Sequence, residues 1–281
     1  MKLSVIGLGL LGGSLSLDLR KRGFADKIFG CDKYAVSAGY AKQVGLIDEV
    51  CDLDAVIANG DIIVVAVPVD AAKKLLPLIL DKINDKQIVI DICSTKATIC
   101  ERVKYHTLRR RYVACHPMAG TEKSGPWSAI SGMFDGKAFI MCDTEDSDED
   151  AVKTIREMFK VLNMNPMFFS SFNHDVHVAY VSHLSHICSF ALAQTVLEKE
   201  KNEKNIFNLA SGGFSSTVRL AKSSADMWAP IFEENKENVK TVLDTYISKL
   251  VEFRQLLEDN NEKGIYDYIN LANTIKRVLD K

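Results

Sequence analysis

Little in this chain suits a polyanion or a membrane. Its 35 basic and 37 acidic side chains leave a formal net charge of −2, whereas a nucleic-acid surface needs a basic excess or stripe. The one basic cluster, LRRRY at 108–112, reads as a solvated helix end. Uninterrupted apolar runs fall short of the ~20 residues that a spanning helix requires. The N-terminal MKLSVIGLGLLGGSLSLDL imitates a leader peptide, but Gly7, Gly9, Gly12 and Gly13 break its apolar run and Asp18 interrupts the remainder. No small-residue cleavage site is convincing there. The seven cysteines are odd in number, scattered and never spaced as CxxC, which argues against a disulfide framework or a thiolate zinc site. They suit reduced packing residues of a cytoplasmic protein. Repeats and low-complexity tracts are also missing.

What is present is an ordinary globular composition, 47% hydrophobic and 26% charged over 281 residues, enough for a substantial core and for two domains. Short, β-branched, apolar runs at 2–7, 27–32, 61–68, 87–93, 112–117 and 137–143 read as strands of a buried parallel sheet. Helical patterns at about 11–21, 35–45, 70–83 and 97–108 separate them. The alternation predicts a doubly wound α/β domain. An acidic loop, 143–150, precedes a helix near 149–163 and a last strand at 164–169. Beyond about residue 170 strand signals vanish and helical patterns take over. The expected division is therefore 1–169 and 170–281. Val239, Leu243, Tyr246, Leu250, Phe253 and Leu257 recur at alternating steps of four and three, a narrow seam for helix packing inside the chain or between two copies.

The stretch VIGLGLLGGSL holds Gly7, Gly9 and Gly12 as GxGxxG between a strand and a helix. The first glycine permits the tight turn, the second lets a pyrophosphate approach the backbone, and the third lets helix pack on strand. The helix N-terminus then offers N–H groups and a positive dipole end to phosphates. This predicts a dinucleotide site of Rossmann type, lined by Gly7, Leu8, Gly9, Leu10, Leu11 and Gly12. Val67, Pro68 and Ser94 lie at the ends of the strand runs that face it. Strand two ends at Asp32, twenty residues after Gly12, where a carboxylate accepts from a ribose 2′-hydroxyl and repels a 2′-phosphate. NAD is thus favoured over NADP, with Lys33 beside Asp32 softening the preference.

Ligands of such sheets bind at the carboxyl ends of strands. Ser94 in DICSTK and His116 in ACHPMAGTE are the polar groups there that a reaction could use. A neutral imidazole is the natural general base for a hydroxyl; the alternative is a histidine that only caps a loop.

GLGLLGGSL, DICSTK, HPMAGTEKSG, HDVHVAYVSHLSH and SGGFSSTVRLAKSSADMW occur in that order. Together they resemble the prephenate/arogenate dehydrogenases of tyrosine biosynthesis over about residues 1–260. The resemblance implies a Rossmann-type sheet followed by an all-α C-terminal dimerisation domain, and a cytoplasmic homodimer that oxidatively decarboxylates prephenate with NAD. It implies that His116 is the base and that Ser94 contacts the substrate hydroxyl and the nicotinamide. It also implies that Glu122 gates access and that His174, Asp175, Ser182 and His186 line the substrate pocket. Arg219 would grip a substrate carboxylate, Gly212 would offer backbone N–H, and Trp228 would stand close by. Tyrosine could act as inhibitor, and no room is expected for a fused mutase or a separate regulatory domain. Ser185 stands where the family commonly has proline, and Ser215 or Ser216 where it often has aspartate. The nearest rivals are an arogenate dehydrogenase, a β-hydroxyacid dehydrogenase and a non-catalytic NAD-binding protein.

Four of the six histidines, His174, His177, His183 and His186, fall within thirteen residues. On one regular helix, at about 100° per residue, the first pair points largely away from the second. No metal is therefore expected. His177 and His183 suit packing roles, and His174 and His186 suit the substrate.

Overall fold

The computed structural model describes residues 1–201, 203 and 206–279. It falls into two compact units, Met1–Asn235 and Lys236–Lys281. In the first, eight strands form one sheet: β1 (Lys2–Ile6), β2 (Lys27–Cys31), β3 (Glu49–Val50), β4 (Ile62–Val65), β5 (Ile88–Asp91), β6 (Tyr112–Pro117), β7 (Ala138–Cys142) and β8 (Asn165–Phe169). Their order is β3-β2-β1-β4-β5-β6-β7-β8. All neighbours are parallel except β6 and β7, so the expected parallel sheet carries one antiparallel junction. Helices α1 (Leu10–Lys21), α2 (Ala35–Gln43), α3 (Leu53–Asn59), α4 (Val69–Leu80), α5 (Ala97–Val103) and α6 (Glu149–Val161) make the crossovers.

Alternate residues of one strand face opposite sides of a sheet. Ile62 and Val64 accordingly join the core under α1, α2 and α6, and Ile63 and Val65 join the core under α3, α4 and α5. All four are fully buried, which is why β4 reads as a continuous apolar run rather than an alternating one.

The strands end at Phe169, but the chain does not leave the sheet unit there. Helix α7 (Ser171–Val178), a π-helical turn (Ala179–His183), α8 (Leu184–Glu200), α9 (Gly212–Thr217) and α10 (Ala225–Glu234) complete the first unit. Trp228 and Ile231 of α10 enter the core beneath α4, and Lys73 pairs with Glu234 at 2.8 Å. Compactness thus groups residues 170–235 with the sheet, whereas the expected division at 169/170 marks the change from strands to helices.

Two further expectations are corrected. The basic run at 108–112 is not a solvated end: Arg109 and Arg111 are buried. Arg111 holds the acidic loop through Asp150 at 2.9 Å and Asp148 at 3.2 Å. In addition, Ser171–Glu200 forms a helical rod that is long and apolar enough to cross a bilayer by length and composition, and it is mostly uncovered. Apolar residues separated by polar ones in sequence gather along this rod, which an uninterrupted-run criterion misses.

The second unit is a helical hairpin of α11 (Lys236–Glu258) and α12 (Glu262–Asn273), followed by α13 (Lys276–Leu279). Asn261 caps α12 by accepting from Gly264 N–H at 2.8 Å, and the rings of Phe253 and Tyr268 meet edge to face. Ile247, Leu250, Val251 and Leu257 of α11 remain exposed.

Candidate active site

The register aligns Ile6, Val65, Asp91 and Ala114 in one row across β1, β4, β5 and β6. Strand order reverses between β1 and β4, the switch point at which open α/β sheets bind ligands. The residues immediately beyond this row stand at the carboxyl edge of the sheet, where such a ligand would sit. Gly7 succeeds Ile6 with φ +97°, and a Cβ there would lie 2.4 Å from the Ala66 carbonyl oxygen. Its N–H donates to Cys31 O at 2.8 Å. Gly9 is the N-cap of α1 and supplies no side chain; a Cβ on it would meet nothing within 4 Å. The next N–H groups, of Leu10, Leu11 and Gly12, stand in the first helical turn and have no intrahelical partner. Open space and unpaired donors at one helix N-terminus fit a pyrophosphate.

Asp32 also shapes the loop itself, accepting from Leu8 N–H at 2.8 Å and Tyr34 N–H at 2.9 Å. Each oxygen keeps a further lone pair, so the carboxylate can still receive ribose hydroxyls. Val67 and Pro68 leave β4 opposite this loop, with Pro68 exposed at the N-cap of α4. These residues fit a dinucleotide.

Farther along the same edge, β6 delivers His116. Its Nδ1 lies 2.8 Å from His174 Nε2 of α7, and His174 Nδ1 lies 2.7 Å from Asp175 Oδ1. Asp175 also accepts from the backbone N–H of Lys96 and of Ala97, each at 2.8 Å. Asn235 donates to Asp175 O at 2.8 Å and lies 3.1 Å from His183 Nδ1. His174, Asp175 and His183 are buried, with at most 1% of their surface exposed, so His174 and Asp175 stand behind His116 rather than in the pocket wall. Burial, reinforced by His174, the Lys96 ammonium and His183, holds His116 well below the usual imidazole value. It is therefore neutral at pH 7 and able to take a proton.

Ser94 lies just past β5, the strand beside β6, and is half-buried; its hydroxyl has no hydrogen-bond partner among the described residues. Just below, Lys96 and Asp91 form a wholly buried ion pair, and Tyr112 OH donates to Asp91 at 2.6 Å. Burial pushes the Lys96 ammonium down, but Asp91 outweighs it and keeps the group charged.

The remaining site residues come from α8 onward. His186 stacks on Trp228 with ring centroids 3.5 Å apart, and its Nδ1–H donates to Ser182 O at 3.1 Å. Ser182 thus meets His186 through its backbone carbonyl. Burial, outweighing the Ser182 carbonyl, and the nearby Arg219 charge keep His186 below the ordinary imidazole value. Arg219 pairs with Glu122 at 3.1 Å. His183 meets the Trp228 ring edge to face, which links this group to the cluster behind His116. Gly212 opens α9, exposed, and no hydrogen bond ties it to these side chains among the described residues. His177 packs against Phe169. No set of three or more His, Cys, Asp or Glu poised for a metal occurs among the described residues.

The regular-helix reading of the four histidines needs correction. The π-helical turn Ala179–His183 inserts a residue between the pairs, which rotates the helix beyond it by about 100° relative to a regular one. His174 and His183 therefore reach one buried network instead of opposite faces. Asn235, Asp91 and Lys96 have no role assigned from the sequence; Asp91 and Lys96 carry a signal there, as the two ends of the DICSTK motif.

The family model described as prephenate dehydrogenase, nucleotide-binding domain, matches residues 15–165, and that described as prephenate dehydrogenase, dimerization domain, matches residues 170–271. The crystal structure of prephenate dehydrogenase from A. aeolicus in complex with hydroxyphenyl propionate and NAD+ is 30% identical, covers 100% of this chain and 98% of its own, and superposes with a TM-score of 0.91. The prephenate dehydrogenase of Bacillus subtilis is 28% identical, covering 95% of this chain and 72% of its own length. Synechocystis arogenate dehydrogenase is 25% identical, covers 99% of this chain and 100% of its own, and has a TM-score of 0.80. With a glycine loop at the switch point, an imidazole at the strand ends and family matches spanning both halves, the chain belongs to the prephenate dehydrogenase family.

Proposed function

We propose that this protein is an NAD-dependent prephenate dehydrogenase that converts prephenate to 4-hydroxyphenylpyruvate and CO2 in tyrosine biosynthesis. The observation that carries the reading is His116, neutral and held through Nδ1 at the carboxyl edge beside the dinucleotide cradle. Bound NAD+ supplies the hydride acceptor. His116 Nε2 takes the proton of the ring hydroxyl, and Ser94 aligns that hydroxyl. Oxidation leaves a ketone conjugated to the carbon that carries the ring carboxylate, and loss of CO2 makes the ring aromatic. No metal is needed to hold the electrons, so the chain supplies orientation and proton removal.

Arg219 would grip one substrate carboxylate through paired, charge-assisted hydrogen bonds. His186, on its Trp228 platform, would face the other acidic end with the N–H groups near Gly212. Residues 170–281 would form a substrate and dimerisation region. The exposed apolar side chains of α11 and the thinly covered α8 rod favour a homodimer in the cytoplasm, since a second copy would cover them. Tyrosine, whose side chain matches the product ring, would inhibit by entering the same pocket.

Arogenate is the second reading, and Glu122 favours it: this acid beside Arg219 could meet the substrate's amine. NADH absorbance followed with NAD+ plus prephenate, and separately with NAD+ plus arogenate, decides. Turnover of prephenate supports the proposal, turnover of arogenate alone moves the substrate, and NAD binding with neither turned over leaves a non-catalytic binder.

A further inference from the structure

We propose that Asp175 is a positioning residue that, through His174, fixes which nitrogen of His116 carries the proton and also registers the Ser94 loop against that base. The inference rests on His116 being the base. It comes from a chain of donors and acceptors that admits one consistent arrangement when both imidazoles are neutral. A carboxylate only accepts hydrogen bonds, and Asp175 already accepts from the N–H groups of Lys96 and Ala97. His174 Nδ1, 2.7 Å from the same carboxylate, must therefore carry a hydrogen. In a neutral imidazole the other nitrogen is then an acceptor, so His174 Nε2 accepts. Its partner at 2.8 Å, His116 Nδ1, must be the donor. His116 Nε2 is left with the lone pair that proton removal requires.

The same carboxylate binds two pieces of chain that the reaction must hold together. Lys96 and Ala97 continue directly from Ser94 and Thr95 into α5, and His116 belongs to β6. Asp175 reaches the first through backbone N–H groups and the second through His174. Its own carbonyl is held by Asn235 at 2.8 Å, and His174, Asp175, Lys96 and Asn235 are buried. Asp175 thus sets the base and the serine in one frame without touching substrate. A role limited to capping α5 would need the two N–H bonds and not the histidine.

Two measurements on the full chain test this. In protein labelled with 15N at histidine, long-range 1H–15N spectra without substrate should show His116 as the Nδ1–H tautomer in the wild type. They should show its Nε2–H form gaining population in Asp175→Ala. A wild-type His116 protonated at Nε2, or protonated at both nitrogens at pH 7.5, overturns the proposal whether or not any variant folds. This readout does not depend on turnover, so it separates failure of the positioning role from failure of the proposed activity. In kinetics, Asp175→Ala should lower kcat by about 10²-fold or more, the scale of a lost general base, with KM and NAD affinity within about threefold. His174→Gln, whose amide oxygen can accept from His116 Nδ1, should retain at least tenfold more kcat than His174→Ala. Asp175→Ala with kcat within threefold of wild type and only a lowered Tm would reduce Asp175 to a helix cap.

Discussion

Arg219 Nη1 and Glu122 Oε2 stand 3.1 Å apart although 97 residues separate them in the chain. The pair joins the loop after β6 to the segment after α9, and it engages one terminal nitrogen of the guanidinium that an acidic substrate would need. Glu122 and a substrate carboxylate would therefore compete for Arg219. Arg219→Gln should raise the KM for prephenate by about 10- to 100-fold, the worth of charge-assisted hydrogen bonds to a carboxylate, with a smaller effect on kcat. Glu122→Gln should move KM the other way, by less than about fivefold, because an exposed ion pair is weak. Steady-state kinetics on both variants checks the opposition of sign; a raised KM in Glu122→Gln would mean that Glu122 binds substrate itself.

Gly9 and Gly12 of the motif should respond differently to alanine. A Cβ on Gly12 would lie 2.1 Å from the Gly7 carbonyl oxygen, whereas one on Gly9 would meet no protein atom within 4 Å. Gly12→Ala should therefore lower Tm by several degrees along with NAD affinity. Gly9→Ala should keep the wild-type Tm and lose at least about tenfold in NAD affinity, since its methyl would fill the space the pyrophosphate needs. Thermal melts and NAD titration by fluorescence separate the two; unchanged NAD affinity in Gly9→Ala would remove the pyrophosphate from that position.

The elements legible in the sequence are those whose signal is local. The apolar runs of β1, β4, β5 and β6, the GxGxxG turn and Asp32 at the end of β2 depend on neighbours a few residues away. Two small elements carry too little signal: β3 has only two residues, and α3 is short, although Asp52 caps it by accepting from Ala55 N–H at 2.8 Å. Of the candidate site, the motifs point to the partly exposed His116, His186, Arg219 and Glu122 and also to His174 and Asp175. The arrangement of the buried support is not legible. His174 and His183 share a network only because a π-helical turn shifts the helix phase, and Asn235 reaches Asp175 from 60 residues away. Arg109 and Arg111 read as surface charges because the acidic loop that receives them lies some 40 residues on.

The pH profile should carry the imprint of His116. A base works unprotonated, and burial with His174, Lys96 and His183 holds this imidazole well below its ordinary value. Activity should thus persist as pH falls through about 6.5, where an unperturbed histidine gains its proton, and be lost only at lower pH. His116→Asn should reduce kcat by about 10²- to 10⁴-fold while NAD affinity stays within twofold. A kcat/KM profile whose acid limb sits at or above 6.5 would show that another group, or a more solvated His116, limits the rate.

Stability should fall on the acid side for a related reason. His183 is buried neutral, and burial, only partly offset by Asp175, lowers its value to about 4. The unfolded chain binds this proton below about 6.5, and the folded chain does not until about pH 4. The stability is therefore fully present above pH 6.5 and declines between the two values. From pH 7.5 to pH 5 the loss through this one group should be on the order of 2 kcal/mol, and His116 adds to it with the same sign. His183→Gln keeps a polar group near Asn235 without the titration, so its urea midpoint should fall less over that range than that of the wild type. Equal declines in the two proteins would show that His183 takes up its proton in the folded state, in spite of the Trp228 and Phe232 rings that it meets edge to face.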